Sequence, residues 1–128
     1  MTLLSGIVEK GRKEGRKLGF PTANLQIPAS QLSQYKPGIY AGYAVFNNQK
    51  YKASIYLGKS ETFNQETLKL EVFIHGFNKD IYGQKLTAIL VKFLRPSSKF
   101  TTIKDLKTQI QQDILETEKL DLDTQANQ

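Results

Sequence analysis

Residues 68–77 alternate most clearly: Leu68, Leu70, Val72 and Ile74 are apolar, and Lys69, Glu71, Phe73 and His75 stand between them. An extended strand sends successive side chains to opposite faces, so this segment reads as a strand with one face in a core. The same period recurs. Residues 3–10 form a first apolar strand, and residues 38–46 are rich in the aromatic and β-branched types that favour strands. Asn47-Asn48-Gln49 supplies a turn, because Asn tolerates positive φ, and Lys50 to Leu57 returns as the second arm of a hairpin. A polar loop is expected from Gly58 to Thr67, and another turn begins at Phe77-Asn78-Lys79-Asp80. Residues 86–94 give a further strand, stopped by Pro96. One segment departs from period two. Ile103, Leu106, Ile110 and Ile114 recur at helical spacing, and Thr102 with Asp105 has the form of a capping box. Several short antiparallel strands and one late helix predict a small closed barrel with a helix packed on it.

A chain of 128 residues is one domain. It contains no Cys, which excludes disulfides and thiolate chemistry, and its single His excludes a multi-His metal site. The packed domain is expected over residues 1–116, with 117–128 a polar tail that frays. No apolar run approaches the roughly 20 residues needed to span a bilayer. The first residues lack the basic and apolar regions of a signal peptide, so a cytoplasmic protein is expected. The formal charge is +6. Residues 113–128 carry −4 of it, which leaves +10 on the rest. Such a body suits a polyanion: nucleic acid, an acidic membrane or the phosphates of a nucleotide.

The standard nucleotide motifs are absent, both the P-loop pattern and Gly-x-Gly-x-x-Gly. The informative segment is Gly11-Arg12-Lys13-Glu14-Gly15-Arg16-Lys17-Leu18-Gly19-Phe20-Pro21-Thr22-Ala23-Asn24. Its glycines let backbone N–H groups approach an anion, and Arg and Lys add charge. The Thr22 hydroxyl and the Asn24 amide oxygen suit a hard cation that arrives with phosphates. The competing reading is a solvated basic loop. Glu71, mid-strand beside Phe73, is a candidate general base; its bland alternative is a surface carboxylate paired with Lys69 or a cross-strand Lys. Arg95, held in direction by Pro96, can donate to a carbonyl-rich ligand, or is a simple strand-end charge. His75 is expected on a strand surface.

The ordered series Gly6-x-Val8-x-x-Gly11, Gly15-Arg16-x-Leu18-Gly19-Phe20-Pro21-Thr22-Ala23-Asn24, Gly38-Ile39-Tyr40-Ala41, Leu57-Gly58, Leu70-Glu71-Val72, Asp80-Ile81-Tyr82-Gly83 and Leu94-Arg95-Pro96 resembles riboflavin kinase. In bacteria this domain is usually the C-terminal half of a bifunctional riboflavin kinase/FMN adenylyltransferase. The resemblance covers about residues 4–116. It implies a mainly β fold, a six-stranded antiparallel Greek-key barrel with a C-terminal α-helix. It implies transfer of the γ-phosphoryl group of ATP to the 5′-hydroxyl of riboflavin, giving FMN, with Mg²⁺ as cofactor. Position by position, Gly11 and Arg16 cover the ATP phosphates, Thr22 and Asn24 hold Mg²⁺, and Glu71 is the catalytic base. Ile74 and Tyr82 lie near the nucleotide, and Arg95 near the flavin. The implied partners are the small molecules riboflavin and ATP, with no nucleic acid, no membrane and a monomeric state. The pattern begins within a few residues of Met1, so the adenylyltransferase half is expected to be absent. Departures from the family's usual residues fall at Tyr56, Glu61, Phe73 and His75-Gly76. They leave two alternatives: a weak or inactive flavin- or nucleotide-binding regulator, and a basic barrel binding single-stranded nucleic acid through its Tyr and Phe side chains.

Overall fold

The computed structural model describes residues 2–9, 22–62, 65–77, 79–97 and 101–120. The alternation seen in the sequence becomes six strands: β1 (Thr2–Glu9), β2 (Ala23–Gln26), β3 (Gly38–Phe46), β4 (Gln49–Thr62), β5 (Gln65–Ile74) and β6 (Lys85–Arg95). They close into a barrel in the order β1-β2-β5-β4-β3-β6, with β6 returning to β1, and every pairing is antiparallel. Consecutive hairpins join β3, β4 and β5, and β2 lies beside β5, which is the Greek-key connection.

The inward face is apolar on every strand. Leu4, Leu25, Ala44, Ile55, Leu57, Leu70, Val72 and Leu86 are all fully or almost fully buried in one cluster. Burying each Leu, Ile or Val side chain contributes about 1.5–3 kcal/mol, so this filling is what drives closure. Asn47 and Asn48 take φ of 49° and 62°, the left-handed region expected of them, and turn β3 into β4.

Four expectations shift. The loop expected over Gly58–Thr67 is largely strand, because β4 continues to Thr62 and β5 starts at Gln65. Backbone pairing carried the hairpin past the point where apolar alternation stopped. Residues 22–37, part of the long stretch over 11–37 whose lack of apolar periodicity predicts an irregular segment, also contain order: β2, and a single helical turn α1 (Ala29–Leu32) whose Leu32 is 1% exposed. Four residues are too few to show a period. The turn after β5 comes at His75-Gly76, ahead of the expected Phe77, because Gly76 supplies a φ of 69°.

The fourth shift concerns the helix α2 (Ile103–Glu118). The Asp105 N–H donates to the Thr102 hydroxyl at 3.1 Å, as the capping pattern predicts. The helix runs past residue 116 over the outer faces of β3 and β4, and Leu120 packs against Ala41, Tyr43 and Ile89. The packed domain therefore reaches Leu120. Its most buried helical side chains are Asp113 and Thr117, whereas Ile103 and Leu115 are exposed. Paired polar groups hold this helix, so its apolar spacing understated where it docks.

The seam between β3 and β6 carries two register shifts, one at Ala41/Gly42. A Cβ on Gly42 would lie 1.9 Å from the Ile89 carbonyl oxygen. Gly42→Ala should therefore destabilise the barrel by about 3 kcal/mol, the upper part of the overpacking range, seen as a lower urea midpoint at unchanged slope.

Candidate functional site

Barrel registers place the candidate residues before any side-chain contact is considered. Arg95 on β6 pairs with Ile39 on β3, Ile39 with Tyr56 on β4, Tyr56 with Glu71 on β5, Glu71 with Asn24 on β2, and Asn24 with Glu9 on β1. Leu70 and Val72 are buried inside, so Glu71 between them faces out, and Asn24 faces out beside Leu25 for the same reason. The row is thus a transverse line on the outer wall. Arg95 ends β6 and Glu9 ends β1, and those strands are antiparallel, so the row climbs from one barrel end to the other.

Adjacent strands lie about 5 Å apart, which puts Asn24 one strand from Glu71 and Arg95 three strands, roughly 15 Å, away. The three candidates drawn from separate parts of the sequence therefore share one surface. Asn24 is 8% exposed, and among the described residues its side-chain oxygen has no hydrogen-bond partner. A buried amide oxygen left without a donor is costly and calls for a ligand. It fits the expected cation: a neutral oxygen, next to the half-buried Thr22 and one strand from a carboxylate. Among the described residues no three His, Cys, Asp or Glu side chains cluster. The donor set accordingly matches an ion that brings phosphate oxygens with it.

At the Glu9 end, Lys69 pairs with Glu9 at 3.1 Å. Tyr82, 41% exposed, sits in the turn before β6. That turn is tied to β1 by Gly83 N–H donating to the Val8 carbonyl at 2.8 Å and Val8 N–H donating to the Gln84 carbonyl at 2.9 Å. Ile74 ends β5 at the same barrel end, but its side chain is 4% exposed and belongs to the core. Gly11 and Arg16 lie outside the described residues.

At the other end, Arg95 is held by α2. Its Nε donates to Asp113 Oδ1 at 2.9 Å and its Nη2 to Oδ2 at 2.7 Å, a bidentate fork. Nη1 donates to the Pro96 carbonyl at 3.1 Å, and Gln109 donates to Asp113 Oδ1 at 3.2 Å. The expected strand-end Arg is thus a helix anchor as well. His75 departs from its expected surface position. Its side chain is 9% exposed and sits between Ser54 and Glu118. The Glu118 carboxyl is held below its ordinary range, chiefly by the hydrogen bond from His75 and further by Lys52.

Sequence reading missed Asp113, Thr117, Glu118 and Ser54. A signal existed for two of them. Leu106, Ile110, Asp113 and Thr117 follow the 4-3-4 spacing of a packing stripe, so two polar residues sat where a core face was due. Buried polar residues on such a stripe need partners.

A family model described as riboflavin kinase matches residues 2–120. The chain is 35% identical over 115 residues to an RNA-binding riboflavin kinase of Bacillus subtilis, covering 89% of this chain and 49% of that protein. It is 35% identical over 113 residues to a bifunctional riboflavin kinase/FMN adenylyltransferase of Bacillus subtilis, covering 86% and 35%. The crystal structure of riboflavin kinase from Trypanosoma brucei superposes with a TM-score of 0.68 at 25% identity, over 91% of this chain and 76% of that one. The chain therefore spans between a third and a half of these two curated relatives.

The fork between Arg95 and Asp113 yields a stability test. Asp113 is the more buried partner, and removing it takes the carboxylate from a guanidinium that keeps some solvent and its bond to the Pro96 carbonyl. Asp113→Ala should cost about 2 kcal/mol, below the range for fully buried pairs, and Asp113→Asn should cost less because one acceptor survives. Urea unfolding of the two variants against the parent measures both.

Proposed function

The chain belongs to the riboflavin kinase family, and from that premise we propose that it transfers the γ-phosphoryl group of ATP to the 5′-hydroxyl of riboflavin, giving FMN and ADP. The observation that carries the reading is the outer-wall row. It sets an unpartnered, buried Asn24 oxygen one strand from Glu71 and ends at Arg95. A tricyclic ring with an extended five-carbon chain fits along such a row, its terminal hydroxyl reaching Glu71.

Phosphoryl transfer asks a protein for position and charge rather than covalent chemistry. Arg95 orients the flavin end. Glu71 holds the 5′-hydroxyl and takes its proton as the oxygen forms its bond to the γ-phosphorus and the bond to ADP breaks. The Thr22 hydroxyl and the Asn24 oxygen hold Mg²⁺, which when bound neutralises charge on the transferring phosphates. Gly11 and Arg16 cover those phosphates, and Tyr82 and the strand end at Ile74 lie on the nucleotide side. The domain acts on these small molecules as a monomer in the cytoplasm, without a nucleic-acid or membrane partner. Among the described residues no helix is long and apolar enough to cross a membrane. One relative is named for RNA binding, so the absence of a nucleic-acid partner is checked by oligonucleotide titration at low salt, where no binding is expected.

Incubation with riboflavin, ATP and Mg²⁺, followed by separation of the flavins, should yield FMN. Flavin binding without FMN would instead favour the inactive-regulator reading. Glu71→Gln should lower kcat by about 10²-fold or more with little change in riboflavin binding, the usual size for a lost general base. Turnover at the parent rate would remove Glu71 from that role. Asn24→Ala should raise the Mg²⁺ concentration needed for half-maximal rate; an unchanged Mg²⁺ titration would count against Asn24 as a ligand.

A further inference from the structure

Tyr56 is the cross-strand partner of Glu71, and on its other side it pairs with Ile39, which pairs with Arg95. Leu57 beside it is fully buried in the core, so Tyr56 faces out and belongs to the outer-wall row. Arg95, Ile39, Tyr56, Glu71, Asn24 and Glu9 make up that row, and Tyr56 is its one aromatic residue. α2 meets β4 at Lys52 and Ser54, and Tyr56 lies beyond them along the strand, half-buried. Its side chain does not stand away from the wall. A Cβ placed on Gly58 would lie 2.3 Å from the Tyr56 hydroxyl oxygen, 2.5 Å from Cζ and 3.1 Å from Cε1. Two residues of strand span roughly 6.5 Å, the reach of a tyrosine from Cα to hydroxyl, so the side chain lies along β4 with its phenol end over Gly58. Gly58 is not among the glycines with positive φ; what it contributes is room, and the end of the Tyr56 ring takes it.

Lengths decide what such a ring would touch. The row from Glu71 to Arg95 crosses three strand spacings, roughly 15 Å. A ribityl chain puts six single bonds between the flavin ring and the terminal oxygen, about 7 Å when extended. With that oxygen at Glu71, the ring system begins beside Tyr56 and reaches over Ile39 towards Arg95. Tyr56 and Ile39 give this stretch an apolar surface between two charged side chains. Isoalloxazine is a flat aromatic system, and aromatic side chains hold such rings by contact area rather than by a hydrogen-bond pattern. A tyrosine whose end already rests on backbone has little rotamer freedom left to lose, so the contact is pre-formed. Tyr56 is also one of the positions at which the chain departs from the family's usual residues, so this surface is a property of the chain itself.

We propose that Tyr56 is a specificity-determining residue: its ring, laid over Gly58, is the wall against which the isoalloxazine ring of the acceptor packs, while Glu71 one strand away receives the end of the ribityl chain. The identity of the acceptor rests on the reaction assigned above. The site thereby selects an alcohol that carries a flat aromatic ring one chain length from its hydroxyl. Tyr56 acts on capture of the acceptor and has no part in handling the nucleotide.

Flavin fluorescence tests this on the full chain, with ADP and Mg²⁺ present so that no turnover occurs. An excited flavin in contact with a phenol takes an electron from it and returns it, and the emission is lost; a phenylalanine ring is too hard to oxidise to do this. The probes are riboflavin and lumiflavin, the same ring with a methyl group in place of the ribityl chain. Both should be quenched on binding the parent. Tyr56→Phe keeps the ring on Gly58, so it should bind both at close to the parent affinity and restore most of the emission. Tyr56→Asn should weaken both by about tenfold, within the range for losing a ring stacked on an aromatic side chain. Gly58→Ala, whose methyl takes the place of the phenol end, should weaken both as well. Quenching that persists in Tyr56→Phe overturns the proposal, and that reading does not depend on how the other variants fold. Unchanged lumiflavin affinity in Tyr56→Asn overturns it too, whether riboflavin binding is kept or lost, because the ring contact is then absent. In turnover, Tyr56→Asn should raise the KM for riboflavin and leave the KM for ATP unchanged; a parallel rise in both overturns the role in acceptor capture. If the parent forms no FMN but lumiflavin responds as stated, the assigned reaction falls and the ring contact stands. If FMN forms and Tyr56→Asn binds both flavins like the parent, the reaction stands and this proposal falls.

Discussion

The pairing of β3 with β6 closes the barrel, and its register determines which outer residues fall in line. Two irregularities sit in that one seam, at Ile39/Tyr40 and Ala41/Gly42. Side chains alternate with period two, so a one-residue slip there would turn β6 inside out relative to β3. With both shifts present, Arg95 comes level with Ile39, and through Tyr56 with Glu71 and Asn24. Bulges bend and twist a strand locally, which lets a barrel this small close while Leu86, Ala88 and Leu90 remain inside. The line from Arg95 to Glu9 is thus a consequence of closure: strands must tilt to close, and a transverse row then climbs the wall.

The helix is attached on different terms. The barrel interior is apolar throughout, whereas α2 is held by a bidentate ion pair, a buried threonine and the cluster around His75. Apolar packing assists through Leu120, but Ile103 and Leu115 remain in water. Hydrogen-bonded charge pairs contribute little net stability compared with an apolar core, yet they are intolerant of geometry. The arrangement gives a robust barrel carrying a helix whose position is specified more sharply than it is stabilised.

The strand pattern was legible because the core faces alternate. Residues 38–46 and the Asn47-Asn48 turn appear where the sequence placed them, and Thr102 caps the helix. β2 was not legible as a strand: it has four residues, and its outward Asn24 is itself buried. The extension of β4 beyond Leu57 was hidden because cross-strand backbone bonds impose no side-chain type. Of the site, Glu71, Asn24, Thr22 and Arg95 could be singled out as chemically able residues. Their common row could not, since it depends on the shifts at the β3–β6 seam, which leave no compositional mark. Asp113 and Thr117 were visible as polar residues on a helical packing stripe, but their partners are set by tertiary contacts 18 and 63 residues away in sequence.

Of the positions the sequence singled out, Tyr56, Phe73, His75 and Gly76 lie close together, whereas Glu61 sits near the tip of the β4–β5 hairpin. Tyr56 is the cross-strand partner of Glu71, and Phe73 that of Ser54. His75 joins Ser54 to Glu118, and its ring contacts Phe73. Gly76 follows with a φ of 69°, a conformation that an L side chain strains to adopt, and a Cβ there would meet nothing within 4 Å. Backbone conformation rather than crowding therefore explains that glycine. The turn it makes lets the His75 N–H donate to the Lys52 carbonyl at 2.9 Å, which places the imidazole and the Lys52 side chain against the same helix end. Residues drifting without constraint would leave buried polar atoms without partners, and the Ser54 and His75 side chains are instead both hydrogen-bonded. Tyr56, Phe73, His75 and Gly76 thus form one connected surface from the edge of Glu71 to the end of α2.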